Sequence, residues 1–463
     1  MPAPTPSNRR DPTVAYLRVN GGGWIDTDPG VGRLVAEAMG VPERVVWQIL
    51  ARQLGPDRMA WERQARSCGY CARPVRLTGR VIDSDGVVRI DTDTLPDRVL
   101  LKRCGNRRAS VCPSCSFQYR GDMWHLLKAG MSGGAKGLPE TVASHPTVFV
   151  TLTAPGFGPV HTTRERNGRP RRCRPRREGR LCPHGRPPWC MTTHDERDPR
   201  LGHALCLDCY DYIGAVAFNW HAPELWRRFT IDLYRTIAQA RGMTEADLRR
   251  HVRISYAKVA EPQARGLVNF HAIIRLDHPT NEEWRPPALD IPTAALIDAV
   301  KAAASRTCDT VTVGTNDTLT LRFGSQVDVQ SIRARSGLDG EELTPEKVAA
   351  YVAKYATKGC EDFGLGSRPL DGYTASCKGL PEHSQRMNDA ALKLARQPGY
   401  ERLPRWTHMH GFRVTSPPIA GATRPPSPRS GKREPIIAAV RRPVPTHPRG
   451  IMGPGQAATP MTR

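Results

Sequence analysis

Hydrophobic and polar positions along the chain follow two periods, and the two together predict its elements. Val252, Ile254 and Tyr256 alternate with Arg253 and Ser255, the pattern of a half-covered strand. Leu267 to Leu276 is an almost unbroken apolar run, as expected of a central strand covered on both faces. Pro262 and Gly266 bracket the turn between the two. A third strand is predicted after Pro146, in TVFVTLT, ending in the Pro-Gly turn of APGFG, and others near 310–313 and 319–329. The helical period appears in Leu225, Phe229, Leu233 and Ile237, which recur every four residues behind Pro223, a residue suited to a first turn. It recurs around 294–305 and in TPEKVAAYVAKYATKG, where Thr344 is a good N-cap, Pro345 takes the first turn and Gly359 closes the end. There Val348, Tyr351, Val352 and Tyr355 fall on one face. Apolar residues at mixed helical spacing in VGRLVAEAMGVPERVVWQILARQL predict a small helical arm over residues 1–60. The order of elements predicts an α+β fold with a mainly antiparallel central sheet covered by helices.

Charge narrows the partner. Lys and Arg outnumber Asp and Glu by 68 to 45, and an excess of +23 points to nucleic acid before membrane. No apolar run is long enough to span a bilayer, and MPAPTPSNRRDPT has no signal-peptide core, so the cytoplasm is the expected location. In that reducing compartment the 13 cysteines are expected to be metal ligands rather than disulfides. MSGGAKG lacks the glycine before lysine that an ATPase phosphate loop requires.

The cysteines fall into spaced groups. Cys68-Gly-Tyr-Cys71 and Cys112-Pro-Ser-Cys115 have the spacing of a four-thiolate structural zinc site, with Cys104 as a competing ligand and four unrelated buried cysteines as the plain alternative. Arg164 to Arg186 holds ten arginines and two glutamates, too dense in charge to form a core. Arg171, Arg172, Arg174, Arg176 and Arg177 are its candidate DNA contacts, against the alternative of a solvated loop. Cys206-Leu-Asp-Cys209 supplies a second metal-pair turn, with Cys182 and Cys190 as partners and His184 or His203 as substitutes. The expectation is about two structural zinc ions.

Two further groups carry chemistry. Asn269 and His271, two apart in a strand, face one side, and Glu261 lies at the same end of the hairpin. Together they can hold a divalent Mg²⁺ or Mn²⁺, although one histidine in an apolar strand also reads as a satisfied core residue. Tyr351 with Lys354 and Tyr355 with Lys358 repeat a Tyr-x-x-Lys pattern. Two tyrosines in an apolar stripe read as core. The alternative is a phenolate that attacks phosphorus, helped by a lysine and a metal.

In this order the motifs resemble those of rolling-circle replication initiators, most closely the actinobacterial RepSA type. Thr-Leu-Thr at the end of the first strand is similar to that family's first motif. Phe270 and His271 are similar to its His-hydrophobic-His metal motif, with Glu261 suited to the third ligand and Asn269 in the place of the first histidine. The tyrosine helix resembles its third motif, in which Lys354-Tyr355 matches the nucleophile position. CLDCYDY, FNWHAPELWRRF and the basic-aromatic stretch around Cys112 look similar to the same family. The resemblance covers residues 60–412. It implies a palm-like HUH nuclease sheet, a nickase and strand transferase with Tyr355 as nucleophile and Tyr351 as second candidate, a double-strand origin as the DNA partner, and host helicase and polymerase as further partners.

The expected organisation is a helical arm at 1–60, a zinc-binding DNA-contact module at 61–130, a nicking domain at 145–412 with a zinc-bearing basic insertion at 164–212, and a tail at 413–463. Eleven prolines and no aromatic residue in the tail predict disorder. The main rival reading is a degenerate initiator that binds DNA through zinc and basic surfaces without cutting it. A third is an unrelated RNA-binding zinc protein.

Overall fold

The apolar run at the centre of the sequence becomes the centre of the sheet. A computed structural model describes residues 15–18, 24–27, 29–39, 43–176, 179–280, 284–313, 317–332, 343–359, 365, 369–372 and 379–413. The chain divides after Cys104 into two compact units.

In the unit that contains Cys104, helices run over Pro29–Met39, Glu43–Leu54 and Arg58–Ser67. Short antiparallel strand pairs accompany them, which the sequence pattern did not predict. Gln64 anchors the third helix to one of these pairs: its amide donates to the Val99 carbonyl at 2.9 Å, and its oxygen accepts from the Leu101 N–H at 3.3 Å.

The unit that begins at Gly105 holds the main sheet. Its elements in chain order are α1 (Pro113–Ser132), β1 (Thr147–Leu152), α2 (Tyr212–Ala240), β2 (Arg253–Pro262), β3 (Val268–Asp277), α3 (Thr293–Arg306), β4 (Cys308–Val313), β5 (Asp317–Arg322), β6 (Val327–Ser331), α4 (Pro345–Thr357) and α5 (Glu382–Leu394). The central sheet runs β2-β3-β1-β6, antiparallel throughout. β3 is buried along its whole length. Side-chain alternation sends Phe270, Ala272 and Ile274, with Val148 and Val150 of β1, into a core shared with α2 and α3. Ile273, Phe149 and Val259 point the other way, into a second core with Met123 and Leu127 of α1 and Val348 and Val352 of α4. The architecture is α+β, a mainly antiparallel sheet between two helical layers.

Two expectations need correction. The helix expected to open at Pro223 starts at Tyr212 instead. Asp211 caps it by accepting from the Gly214 N–H at 2.8 Å, and Ala215 to Trp220 are buried. That burial offsets the roughly 3 kcal/mol that an internal proline costs. The strand expected over 319–329 is two strands: β5 pairs with β4 in a separate hairpin, and β6 joins the main sheet beside β1. The tail expected to be disordered lies, apart from Arg413, outside the described residues.

Two buried polar devices fix the sheet. The Asn219 amide on α2 donates to the carbonyls of Gly266 and His410, and its oxygen accepts from the Val268 N–H, tying α2, the β2–β3 turn and the segment after α5 together. Gly266 sits at φ +77°, where a Cβ would lie 2.5 Å from His410 Nδ1, so only glycine fits the turn. At the far end of β3, Asp277 accepts from Ser255 at 2.5 Å and from Arg275 at 2.7 and 2.9 Å, and pairs with His145 Nδ1 at 2.7 Å. Arg275 also donates to the Gly130 carbonyl of α1. Burial alone would push the Asp277 carboxyl up, but the hydrogen bonds from His145, Arg275 and Ser255 outweigh it and hold the group well below the usual carboxylate range.

Asp277→Asn leaves the Arg275 guanidinium buried without its counter-charge and should lower stability by about 3 kcal/mol at neutral pH. The native carboxyl titrates below its unfolded value of about 3.9, so its contribution is present above roughly pH 4 and lost as pH falls further. Urea denaturation of both proteins at neutral and acid pH should therefore show a gap that narrows in acid; equal stabilities at neutral pH would refute this role.

Candidate active site and metal centres

At the end of the sheet opposite Asp277, the β2–β3 hairpin and α4 bring one constellation together. Glu261 and Asn269 are cross-strand partners, and His271 sits two residues further along β3, opposite Val259 and Thr151. The His271 ring is almost fully buried. Its Nε2 lies 2.7 Å from Glu261 Oε2, and its Nδ1 lies 3.1 Å from Thr151 Oγ1. The first-strand Thr-Leu-Thr motif thus supplies a direct partner of the histidine through its first threonine, a contact that only the strand register reveals.

Asn269 behaves differently. Its Oδ1 accepts from the Ala154 N–H at 2.9 Å, where the chain leaves β1. The structure brings Glu261 and His271 together and gives the Asn269 carbonyl to the backbone. One carboxylate and one imidazole suit a hard divalent cation that completes its shell with water and phosphate oxygens.

Above them lies α4. Thr344 caps it by accepting from the Lys347 N–H at 3.3 Å. Arg107 closes the other end by donating to the Ala356 and Lys358 carbonyls at 2.6 and 3.2 Å, a cap with no sequence signature. Its buried stripe is Val348, Ala349, Val352, Ala353 and Ala356. The stripe expected to include both tyrosines is therefore rotated, and they stand at its edge, with Tyr351 38% exposed. The Tyr355 ring stacks on His271, with centroids 5.4 Å apart, and Tyr351 meets the same imidazole edge-on at 5.1 Å. The two phenol rings also meet each other, with centroids 4.6 Å apart. Lys358 Nζ lies 3.8 Å from Glu261 Oε1 and 4.7 Å from the centre of the Tyr355 ring; Lys354 Nζ is 5.6 Å from that ring. Burial, and then the Glu261 charge, raise the Tyr355 phenol above its ordinary value.

Two open grooves flank this end of the sheet. One of about 610 Å³ is bordered by Glu261, Lys358 and Ser384. Another of about 1060 Å³ is bordered by Asn269, Arg174, Arg265, Arg322 and Gln326. Arg171, Arg172, Arg174 and Arg176 are exposed, while Arg177 lies outside the described residues.

The cysteine groups differ from the spacing-based expectation. In the first unit the Cys68 thiol donates to the Ala65 carbonyl at 3.3 Å, whereas Cys71 Sγ accepts from the Cys104 N–H at 3.3 Å. Cys71 thus partners the competing ligand. In the second unit Cys112 precedes the first turn of α1 and Cys115 lies within that turn, both buried. Cys182, Cys206 and Cys209 do come together, with His184 and not Cys190 as the fourth member; all four ligand atoms lie within 4.8 Å of one another. His184 Nδ1 is 3.2 Å from Cys209 Sγ, and the Arg186 N–H donates to Cys182 Sγ at 3.3 Å. Three thiols and one imidazole at this spacing can hold a metal ion such as zinc. Cys190 sits elsewhere, 3.4 Å from His194 Nε2. His203 is also outside the group; its ring stacks on His383, with centroids 5.9 Å apart. No helix among the described residues is long and apolar enough to cross a membrane.

Comparison with known proteins places the chain in a family. No solved structure matches the chain. A replication initiator protein of Streptomyces ambofaciens is 40% identical over 368 residues, which cover 77% of this chain and 75% of that protein. The family model RepSA, described as the replication initiator protein of pSAM2, matches residues 57–415, a span that includes the β2–β3 hairpin, the tyrosine helix and the Cys182–Cys209 metal group. The chain belongs to the RepSA family of replication initiator proteins.

Proposed function

We propose that this initiator binds a double-strand origin, nicks one strand through Tyr355 and later rejoins it, the chemistry of rolling-circle replication on an HUH-type palm. The observation that carries this reading is the placement of Tyr355, stacked on the His271 ring that pairs with Glu261, at the open edge of a helix capped at both ends. A nick that preserves bond energy requires a nucleophile that stays attached. The Tyr355 oxygen attacks phosphorus and forms the tyrosyl phosphate ester as the bond to the 3′ oxygen breaks. The phenol proton passes to the neighbouring Glu261 carboxylate, and the 3′ oxygen takes up a proton and departs as a hydroxyl. Attack by that hydroxyl reverses the step and rejoins the strand. Lys358, close to both Glu261 and the Tyr355 ring, offsets charge that develops on the phosphate. His271 and Glu261 are the residues that would hold Mg²⁺ or Mn²⁺, which when bound polarises the scissile phosphate. Tyr351, whose ring lies 4.6 Å from that of Tyr355, is the second candidate nucleophile.

A second reading, an initiator that binds its origin without cutting it, is favoured by one observation: Asn269 Oδ1 is already engaged by the Ala154 N–H, leaving two protein donors for a cation. In either case the exposed arginines of the insertion provide phosphate contacts, structural zinc at the Cys182 group holds them in place, and host helicase and polymerase are further partners at the origin.

The two readings separate experimentally. Labelled supercoiled origin DNA incubated with Mn²⁺ should form a covalent adduct with the wild-type protein. Tyr355→Phe should abolish it while DNA binding persists, and Tyr351→Phe should reduce it. An adduct of equal yield in the double variant would refute the tyrosine assignment. Asn269→His should lower the Mn²⁺ concentration for half-maximal nicking on the order of tenfold, and His271→Ala should remove nicking in either background. Wild type and Asn269→His both inactive across the Mn²⁺ titration would favour binding without cutting.

Binding has its own test. Replacing Arg171, Arg172 and Arg176 together with alanine should weaken non-specific DNA affinity. It should also flatten the dependence of affinity on salt by about 0.9 for each phosphate no longer neutralised. An unchanged slope in a fluorescence-anisotropy titration would exclude these side chains from the interface.

A further inference from the structure

We propose that His161, Cys173, Cys190 and His194 bind a zinc ion of their own, and that its ligands interleave in sequence with those of the Cys182 group to cross-brace the arginine-rich insertion. Two thiols and two imidazoles converge here with all four ligand atoms within 4.8 Å of one another. A tetrahedral zinc with two nitrogen and two sulfur ligands has edges of about 3.3–3.8 Å. His161 Nδ1 and His194 Nε2 are 3.0 Å apart, and Cys190 Sγ is 3.4 Å from the same His194 nitrogen. An ion entering their centre needs only a small outward movement.

The outer contacts fit the same assignment. His194 Nδ1 pairs with Asp198 Oδ2 at 2.7 Å, which directs the lone pair of Nε2 at the thiols. Arg200 holds Asp198 in turn, at 2.8 and 3.0 Å. This is the carboxylate–histidine–metal relay that orients zinc ligands. The Thr162 N–H donates to Cys173 Sγ at 3.2 Å, as backbone groups do toward a thiolate. Cys173 is fully buried and His194 almost so.

The segment otherwise lacks the means to hold this shape. Between His161 and Arg200 its large aliphatic side chains, Leu181 and Met191, are both exposed. Yet the backbone is ordered around the cluster. Arg174 and Cys190 form an antiparallel bridge, the Cys173 N–H donates to the Thr192 carbonyl at 2.8 Å, and a short hairpin pairs Glu165–Arg166 with Arg169–Pro170. Where burial cannot supply the folding energy, a metal can.

Chain order shows how the two centres relate. His161 and Cys173 come first, then Cys182 and His184, then Cys190 and His194, then Cys206 and Cys209. Each centre takes alternate pairs, so neither loop closes independently. The arginine hairpin emerges between His161 and Cys173, at the base of the first centre. This assignment does not rest on the nicking reading.

The experiment uses the full-length protein prepared without chelator. Cys173→Ser should lower the zinc content by about one equivalent per chain, or two if loss of one centre opens the other; an unchanged content would overturn the proposal. Because that variant can fail to fold, peptide-resolved alkylation of the wild type provides the second measurement. Cys173 and Cys190 should resist iodoacetamide until a zinc chelator is added, and then react. Equal labelling with and without chelator would overturn the proposal even if the variant is insoluble.

Discussion

The constraint on which the rest depends is that β3 is buried on both faces while carrying four polar side chains on one of them. Asn269, His271, Arg275 and Asp277 follow the strand period and share a face with Ile273. A buried polar group left unpaired costs roughly 1–3 kcal/mol, more if charged. Each of the four is therefore tied down: Asn269 to the end of β1, His271 to Glu261 and Thr151, and Arg275 and Asp277 to each other. One end of the strand thereby becomes an electrostatic lock joining β1, β2 and α1. The other end becomes a place where an imidazole is held in one orientation with a carboxylate beside it. Orientation of this kind is what a metal or phosphate site requires and a flexible loop cannot provide.

The tyrosine helix follows from the same geometry. Alanines at 349, 353 and 356 let α4 approach the sheet and α1 closely, and the bulkier tyrosines are left at the rim. Lys128 on α1 pairs with Glu346 at 3.1 Å, close to the start of α4, and Arg107 holds its end. The phenols consequently lie over His271. Their raised protonation range follows first from burial, with the Glu261 charge adding to it.

The sequence made the central hairpin, its turn and the capped tyrosine helix readable, because each combines a strong period with a turn or cap residue. It misled where two local signals competed. Pro223 looks like a helix start, but Asp211 and the buried run after it set the start earlier. Tyr351 and Tyr355 satisfy the helical stripe as well as Ala349 and Ala353 do, and only the partner surfaces decide between them. Cys190 has suitable spacing by number, yet His184 has the position. Interleaved ligands cannot be sorted by spacing, because the nearest cysteine in sequence belongs to the other centre.

The insertion between β1 and α2 is not a separate appendage on this sheet. It leaves at Ala154, whose N–H holds Asn269, and whose carbonyl accepts from Arg265 in the β2–β3 turn at 2.9 Å. It returns past Gly202, at φ +81°, where a Cβ would lie 2.3 Å from the Ala264 backbone of that same turn. The Gly202 N–H donates to the carbonyl of His161 at 2.9 Å, one residue of the first Cys/His cluster. The hairpin that positions Glu261 and Asn269 is therefore in contact with the braced insertion at both ends of the loop. A substitution at Gly202 would displace the hairpin turn and the cluster together.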